Sequence, residues 1–129
     1  MEEKKFTKLP DSELEVMQGI WVLNREGEQF VSAGLIMKRF PALNRLKLTT
    51  VLTLVNRLQF KGFITTEKQG RTNCYTPVVK EEEYRCFAAE DFVEKVYLGS
   101  KAELISSLIA NGEFSAEEKE TIRNLAVSL

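Results

Sequence analysis

Thr49, Thr50, Thr53, Asn56 and Arg57 stand close together in the chain, and Arg45, Lys47 and Lys61 flank them. Lys68 and Arg71 follow shortly after. Hydroxyls, an amide and cations with no general base among them are groups that bind rather than transform. Short hydroxyls let a helix approach a base edge closely, and their methyls pack against thymine methyls. Lys and Arg neutralise phosphates and fix register. Over residues 38–79, Lys38, Arg39, Arg45, Lys47, Arg57, Lys61, Lys68 and Arg71 face a single acid, Glu67, although the whole chain has a net charge of -1. Residues 1–37 and 80–129 are both acidic in balance. A basic middle between acidic flanks points to a local polyanion site that the total charge hides.

Other chemistry is poorly provided for. The chain has no histidine, which removes the commonest general base and the commonest zinc ligand. Two isolated cysteines, Cys74 and Cys86, do not make a structural zinc site, and no Gly-rich phosphate loop or Ser-centred nucleophile motif occurs. Acid groups such as Glu81 to Glu83 and the Glu117–Glu118 pair read as solvated charge on helix faces, not as catalytic carboxylates. No enzyme activity, cofactor or metal is expected. No run approaches the roughly 20 apolar residues that span a bilayer. The start MEEKKFTKLP is unlike a signal peptide. A cytoplasmic protein with reduced thiols and no membrane insertion is expected.

The elements that must position the polar cluster follow from periodicity. Leu14, Val16, Met17, Ile20, Trp21 and Leu23 recur at helical spacing from about Pro10 to Asn24, with Trp21 as a core anchor. A turn and a short strand are expected over REGEQF, residues 25–30. Ser32 then offers an N-cap for a second helix from Ala33 to about Arg39, closed by Pro41. A third helix begins near Thr49 and ends at Gly62 in a left-handed cap. Its apolar stripe is Val51, Leu54, Val55 and Leu58, which leaves Thr49, Thr53, Asn56 and Arg57 on or near the opposite side. FITTEK (63–68) and TNCYTP (72–77) alternate like strands, and QGR between them is a hairpin loop. Helix, helix, helix, hairpin is the order of a winged helix-turn-helix. Its third helix enters the major groove, with Arg45, Lys47, Arg57 and Lys61 as phosphate clamps and Lys68 and Arg71 at the wing tip. Ser32, at the start of the second helix, joins the same set.

After Pro77 the composition changes. An acidic helix over 81–98 is stopped by Gly99, a capping box Ser100–Glu103 opens another, and Ser115 opens a last one. The expected division is a winged-helix domain over 1–79 and a helical region over 80–129. Three helices in so short a tail cannot bury their apolar residues alone. Tyr84, Phe87, Phe92, Val96, Leu104, Leu108, Ile122 and Leu125 are therefore expected to pair with a second copy in a homodimer, the alternative being that they pack back on the winged helix. Cys86, on the first tail helix, reads as a small buried apolar residue, with a redox switch as the alternative.

Taken together, the order LPDSELEVMQGIW, VSAGLI, TTVLTLVNRLQFKGFI and a hairpin ending CYTPVV resembles the BlaI/MecI-type penicillinase repressor family, over nearly the whole chain. The resemblance is strongest from Glu13 to Trp21 and from Thr50 to Gly62. It implies a homodimeric transcriptional repressor, mainly α with a small β-hairpin, whose winged helix-turn-helix binds a palindromic operator and whose C-terminal helices hold the dimer. It further implies a regulatory protease, linked to antibiotic response, that leads to cleavage within those helices. The family's Asn-Phe cleavage point aligns with Ser107-Leu108, so the chain departs from the pattern there. The cysteine-rich tail of the family's copper-sensing branch has no counterpart. Two other readings stay open: a winged helix used for protein–protein assembly, and a regulator with a small-molecule pocket at the dimer interface.

Overall fold

The computed structural model describes residues 6–129. The first five residues lie outside the described part, and the reading of the start as unlike a signal peptide falls partly on them. Six helices and one antiparallel hairpin follow in the order the patterns predict. Contacts divide the chain into two compact units, one running through Ala88 and one from Ala89 to Leu129. The first therefore extends past the composition change expected at residue 79.

In the first unit, α1 (Asp11–Arg25) starts directly after Pro10, whose φ of −59° leads into a helix without needing an amide donor. It buries Val16, Met17, Ile20, Trp21 and Leu23. Residues 25–30 form a turn and no strand. The expected short strand is reduced to one bond, in which the Tyr75 amide donates to the Val31 carbonyl at 2.8 Å. The second helix, α2 (Ala33–Arg39), is capped by Ser32, whose hydroxyl oxygen accepts from the Leu35 amide. A single 3₁₀ turn, Pro41–Arg45, fills the connection to α3 (Leu48–Phe60).

The residues of α3 that become buried are Val51, Leu54, Val55 and Leu58, the expected stripe. Its end is set by Gly62 at φ +82°, a conformation open to glycine at little cost. The Gly62 amide donates to the Gln59 carbonyl and the Phe63 amide to the Leu58 carbonyl, the bond pair of a Schellman cap. This turn delivers the chain into β1 (Ile64–Gln69), which pairs with β2 (Thr72–Pro77) in register from Ile64↔Pro77 to Gln69↔Thr72. Gly70 at φ +65° is the first residue of a two-residue loop, and Arg71 is not in the left-handed region. One positive φ at that place is the signature of a type II′ turn, whose twist suits a hairpin.

The aromatic core joins α1, the hairpin and the start of α4 (Glu81–Tyr97). Trp21 Nε1 donates to the Val79 carbonyl at 2.9 Å, and the Tyr84 ring lies 5.7 Å from both Trp21 and Phe63. The Leu9 amide donates to the Tyr84 hydroxyl oxygen. Phe87 packs beside Tyr84 and edge-on to Phe6. Tyr84 and Phe87 were expected at the dimer face, but both are engaged within this core. The link from β2 to α4 is so short that the first turns of α4 must pack here. Cys86, expected to be buried, is exposed on α4, while Cys74 is buried on β2. Glu81, expected to be merely solvated, receives ion pairs from Arg25 and Arg85, each at 2.9 Å.

In the second unit, α4 ends with Leu98 at φ +51° and Gly99 at φ +91°. Helix α5 (Lys101–Asn111) begins at Ser100, whose hydroxyl oxygen accepts from the Glu103 amide. The reciprocal half of the expected capping box is absent, because the Ser100 amide goes to the Tyr97 carbonyl. Ser115 caps α6 (Ala116–Val127) in the same way through the Glu118 amide. Neither α5 nor α6 buries a single residue. Ile105, Leu108, Ile109, Phe114, Ile122 and Leu125 are among the residues lining an open apolar groove of about 390 Å³. Phe92 and Val96 on α4 are also exposed, and Leu104 is half-buried. Ser107-Leu108 lies within α5. Among the described residues, no helix is long and apolar enough to cross a membrane.

Candidate nucleic-acid interface

With about 100° between successive residues, the four buried side chains of α3 centre on one line of the helix. Directly opposite lie Thr49, Asn56, Thr53 and Phe60, and all four are exposed. Leu52 and Gln59 border this face on one side, and Thr50 and Arg57 on the other. The face is held rigidly from behind by the core and at its end by the Schellman cap. The Thr66 hydroxyl of β1 also donates to Gln59 Oε1, tying the last turn of the helix to the hairpin.

Thr53 is oriented by its own helix. Its hydroxyl donates to the Thr49 carbonyl at 3.0 Å. Toward an incoming group it therefore offers an oxygen lone pair and a methyl, with its proton already committed. Ser32 sits at the mouth of a shallow cleft of about 260 Å³ that also includes Leu52 of α3 and Arg71, Thr72 and Asn73 of the hairpin. The start of α2, the border of the exposed face of α3 and the hairpin loop thus line one concavity.

The eight cations of residues 38–79 divide into two groups. Arg39 pairs with Glu26, and Arg45 and Lys61 pair with acids of α1. Arg45 places both terminal nitrogens on the Glu15 carboxylate, at 2.9 and 2.6 Å, and Nη1 also donates to the Ala42 carbonyl. Lys61 Nζ lies 2.6 Å from the carboxylate of Glu13, an acid only 3% exposed. Arg45 and Lys61, expected as phosphate clamps, are thus committed to acids that lie far away in sequence but adjacent in space. Lys38, Lys47, Arg57, Lys68 and Arg71 make no ion pair with any described residue. Lys47 stands at the N-terminus of α3, Arg57 on its flank, and Lys68 and Arg71 by the hairpin loop. The positive field survives, but it is smaller and more sharply placed than the residue count suggests.

Hydrogen bonds from Arg45 hold the Glu15 carboxyl below the ordinary carboxylate range, with their direct charge attraction adding to this. The same bonds raise the Arg45 guanidinium, which stays charged at all relevant pH. Burial pushes the Tyr75 hydroxyl up, so it stays neutral. A carboxyl depressed by folding contributes stability above its unfolded value and loses it as pH falls through the folded one. Both partners are solvent-exposed, so the effect is small. Wild type and Glu15→Gln should differ in melting temperature at neutral pH and converge below the ordinary carboxylate range. A gap that widens on acidification would refute the pairing.

Phe60 and Leu52 were not among the expected binding residues, although the helical wheel alone puts both outside the buried stripe. Phe60 is 93% exposed.

The sequence pattern that defines penicillinase repressors matches residues 9–127. The chain is 28% identical over 123 residues to the methicillin resistance regulatory protein MecI of Mammaliicoccus sciuri, covering 95% of this chain and 96% of that protein. It is similarly 28% identical over 115 residues to the penicillinase repressor of Bacillus licheniformis, covering 89% and 86%.

Proposed function

Since the chain belongs to the penicillinase repressor family, we propose that it is a homodimeric transcriptional repressor that binds a palindromic operator through α3 and the wing. The family comprises regulatory DNA-binding proteins, not enzymes, so the clustered polar residues are read as contacts. One observation carries the reading. The solvent face of α3, with Thr49, Thr53 and Asn56, lies opposite its core stripe and is framed by Lys47, Arg57, Lys68 and Arg71, which make no ion pair with any described residue.

Two terms divide the work. Lys47, Arg57, Lys68 and Arg71 displace counterions from phosphates, which gives affinity that falls with salt. Thr49, Thr50, Thr53 and Asn56 meet base edges and give sequence choice. Ser32 lies where a backbone phosphate can approach the wing cleft. Arg45 and Lys61 act as supports whose charge is largely answered within the protein. The apolar residues of α5 and α6, unburied in the single chain, support a second copy as the dimer partner. With one reading helix per subunit, two-fold symmetry matches a palindrome. Cleavage within α5 would cut that dimer surface, but Ser107-Leu108 stands where the family has its Asn-Phe cleavage point, so this route of release is not carried over to the chain.

Arg57→Ala should weaken binding to all duplexes alike and lower the salt slope by about one unit. Thr53→Val, which removes the lone pair but keeps the shape, should alter preference between sequences and leave the slope unchanged. Mobility-shift titrations at two salt concentrations, with promoter DNA and random DNA, measure both. Equal losses on the two DNAs for Thr53→Val would remove its assigned role, and no shift at low salt would remove the DNA reading.

A further inference from the structure

We propose that Phe60 reads a thymine methyl in the major groove, as an apolar specificity contact at the far end of α3. The inference rests on the DNA reading above and goes beyond it, because the polar face alone gives no role to a phenyl ring. Phe60 is 93% exposed and makes no ring contact with another described residue. It is not a stray edge of the core. Its angular position is opposite Val51, Leu54, Val55 and Leu58, and in line with Thr49 and Asn56.

The chemistry around it favours DNA over an apolar protein surface. Arg57 beside it makes no ion pair with any described residue, and neither do Lys47, Lys68 and Arg71 on the same unit. Leu52, 36% exposed, lies two turns back toward the helix start and lines the wing cleft. Thymine is the one base that presents an apolar group, its C5 methyl, in the major groove, and Phe is among the side chains that pack on it. Eleven residues separate Phe60 from Thr49, about 16 Å along the helix axis. That is about five base-pair steps of 3.4 Å. The N-terminus of a reading helix enters deepest, so a residue at its other end needs a long side chain to touch a base. Phe60 has one, whereas a threonine there would fall short.

The test uses full-length protein and duplexes selected from a random-sequence pool. Each thymine of the selected sequence is then replaced singly by deoxyuridine, which lacks only the methyl. Wild type should lose about three- to fivefold in affinity at one outer thymine, the effect of burying a single methyl. Phe60→Ala should bind more weakly and become indifferent to that replacement, while the methyl-sensitive positions nearer Thr53 stay unchanged. Phe60→Leu should recover part of the sensitivity. The deoxyuridine scan on wild type needs no variant to fold, and the exposed ring makes an unchanged melting temperature the expectation for both variants. If the scan finds no sensitive outer thymine, or Phe60→Ala keeps the sensitivity, the inference is overturned while DNA binding stands. If wild type enriches no sequence at all, both this inference and the DNA reading are overturned.

Discussion

Aspartates at Leu108 and Leu125 together are expected to turn the protein into a monomer and to lower affinity for a two-half-site duplex by about 100-fold or more. Leu108 and Leu125 line the apolar groove of α5 and α6 and are 57% and 65% exposed in the single chain. Substitution therefore removes no intrachain core and should leave the first unit folded. In a dimer the same positions are covered, and burying an unpaired carboxylate costs several kcal/mol or forces it to neutralise. Half-site binding, which uses one reading helix, should stay within a few-fold of wild type. The loss arises because two linked half-sites bind with an effective concentration that a monomer does not have. Sedimentation equilibrium and titrations on paired and single half-sites measure the two parts separately. A variant that remains dimeric would show that the groove is not the interface. A monomer that still binds both duplexes equally would show that dimerisation does not govern occupancy.

Lys61→Met should destabilise the first unit by about 3 kcal/mol, the lower end of the range for breaking a buried ion pair. Its partner Glu13 has a carboxylate only 4% exposed, held at 2.6 Å by Lys61. Removing the cation leaves that charge without a partner inside the fold. Lys61 itself keeps 23% of its side chain in solvent, so water softens the loss. The melting temperature should fall by about 10–20 °C, as expected for a domain of this size. Glu13→Gln with Lys61→Met should recover most of the loss, because neither charge then remains. Circular dichroism melts of the two single variants and the double variant close the cycle. Full additivity of the two single effects would show that the pair is not coupled.

What was legible in the sequence was local. Val51, Leu54, Val55 and Leu58 repeat with the helix period, so the buried side of α3 follows from spacing alone. Gly62 and Gly70 mark turns whose backbone geometry most other residues resist. The ion pairs were not legible. Lys61 meets Glu13 and Arg45 meets Glu15 across distances in sequence that no periodicity encodes. Cationic residues therefore looked equally available until folding matched three of them with acids. Tyr84, Phe87 and Cys86 fail for a related reason. An apolar face on α4 shows that something covers it, but not whether the cover is the same chain, a second copy or solvent. Phe60 is a different case, since spacing alone sets it opposite the buried stripe, and its 93% exposure follows from that position.

The committed hydroxyl of Thr53 has one more consequence. If a base edge lies opposite it, as proposed, that edge meets an acceptor and a methyl while the Thr53 hydroxyl donates its hydrogen to the Thr49 carbonyl. The amino groups of adenine and cytosine satisfy that oxygen, and a thymine methyl can lie against the side-chain methyl. Guanine offers only its own acceptors there, and oxygen would face oxygen. In the language of information, this position conveys a prohibition and not a preference. On the proposed DNA reading it would reject one letter of four and leave the choice among the others to its neighbours on the helix.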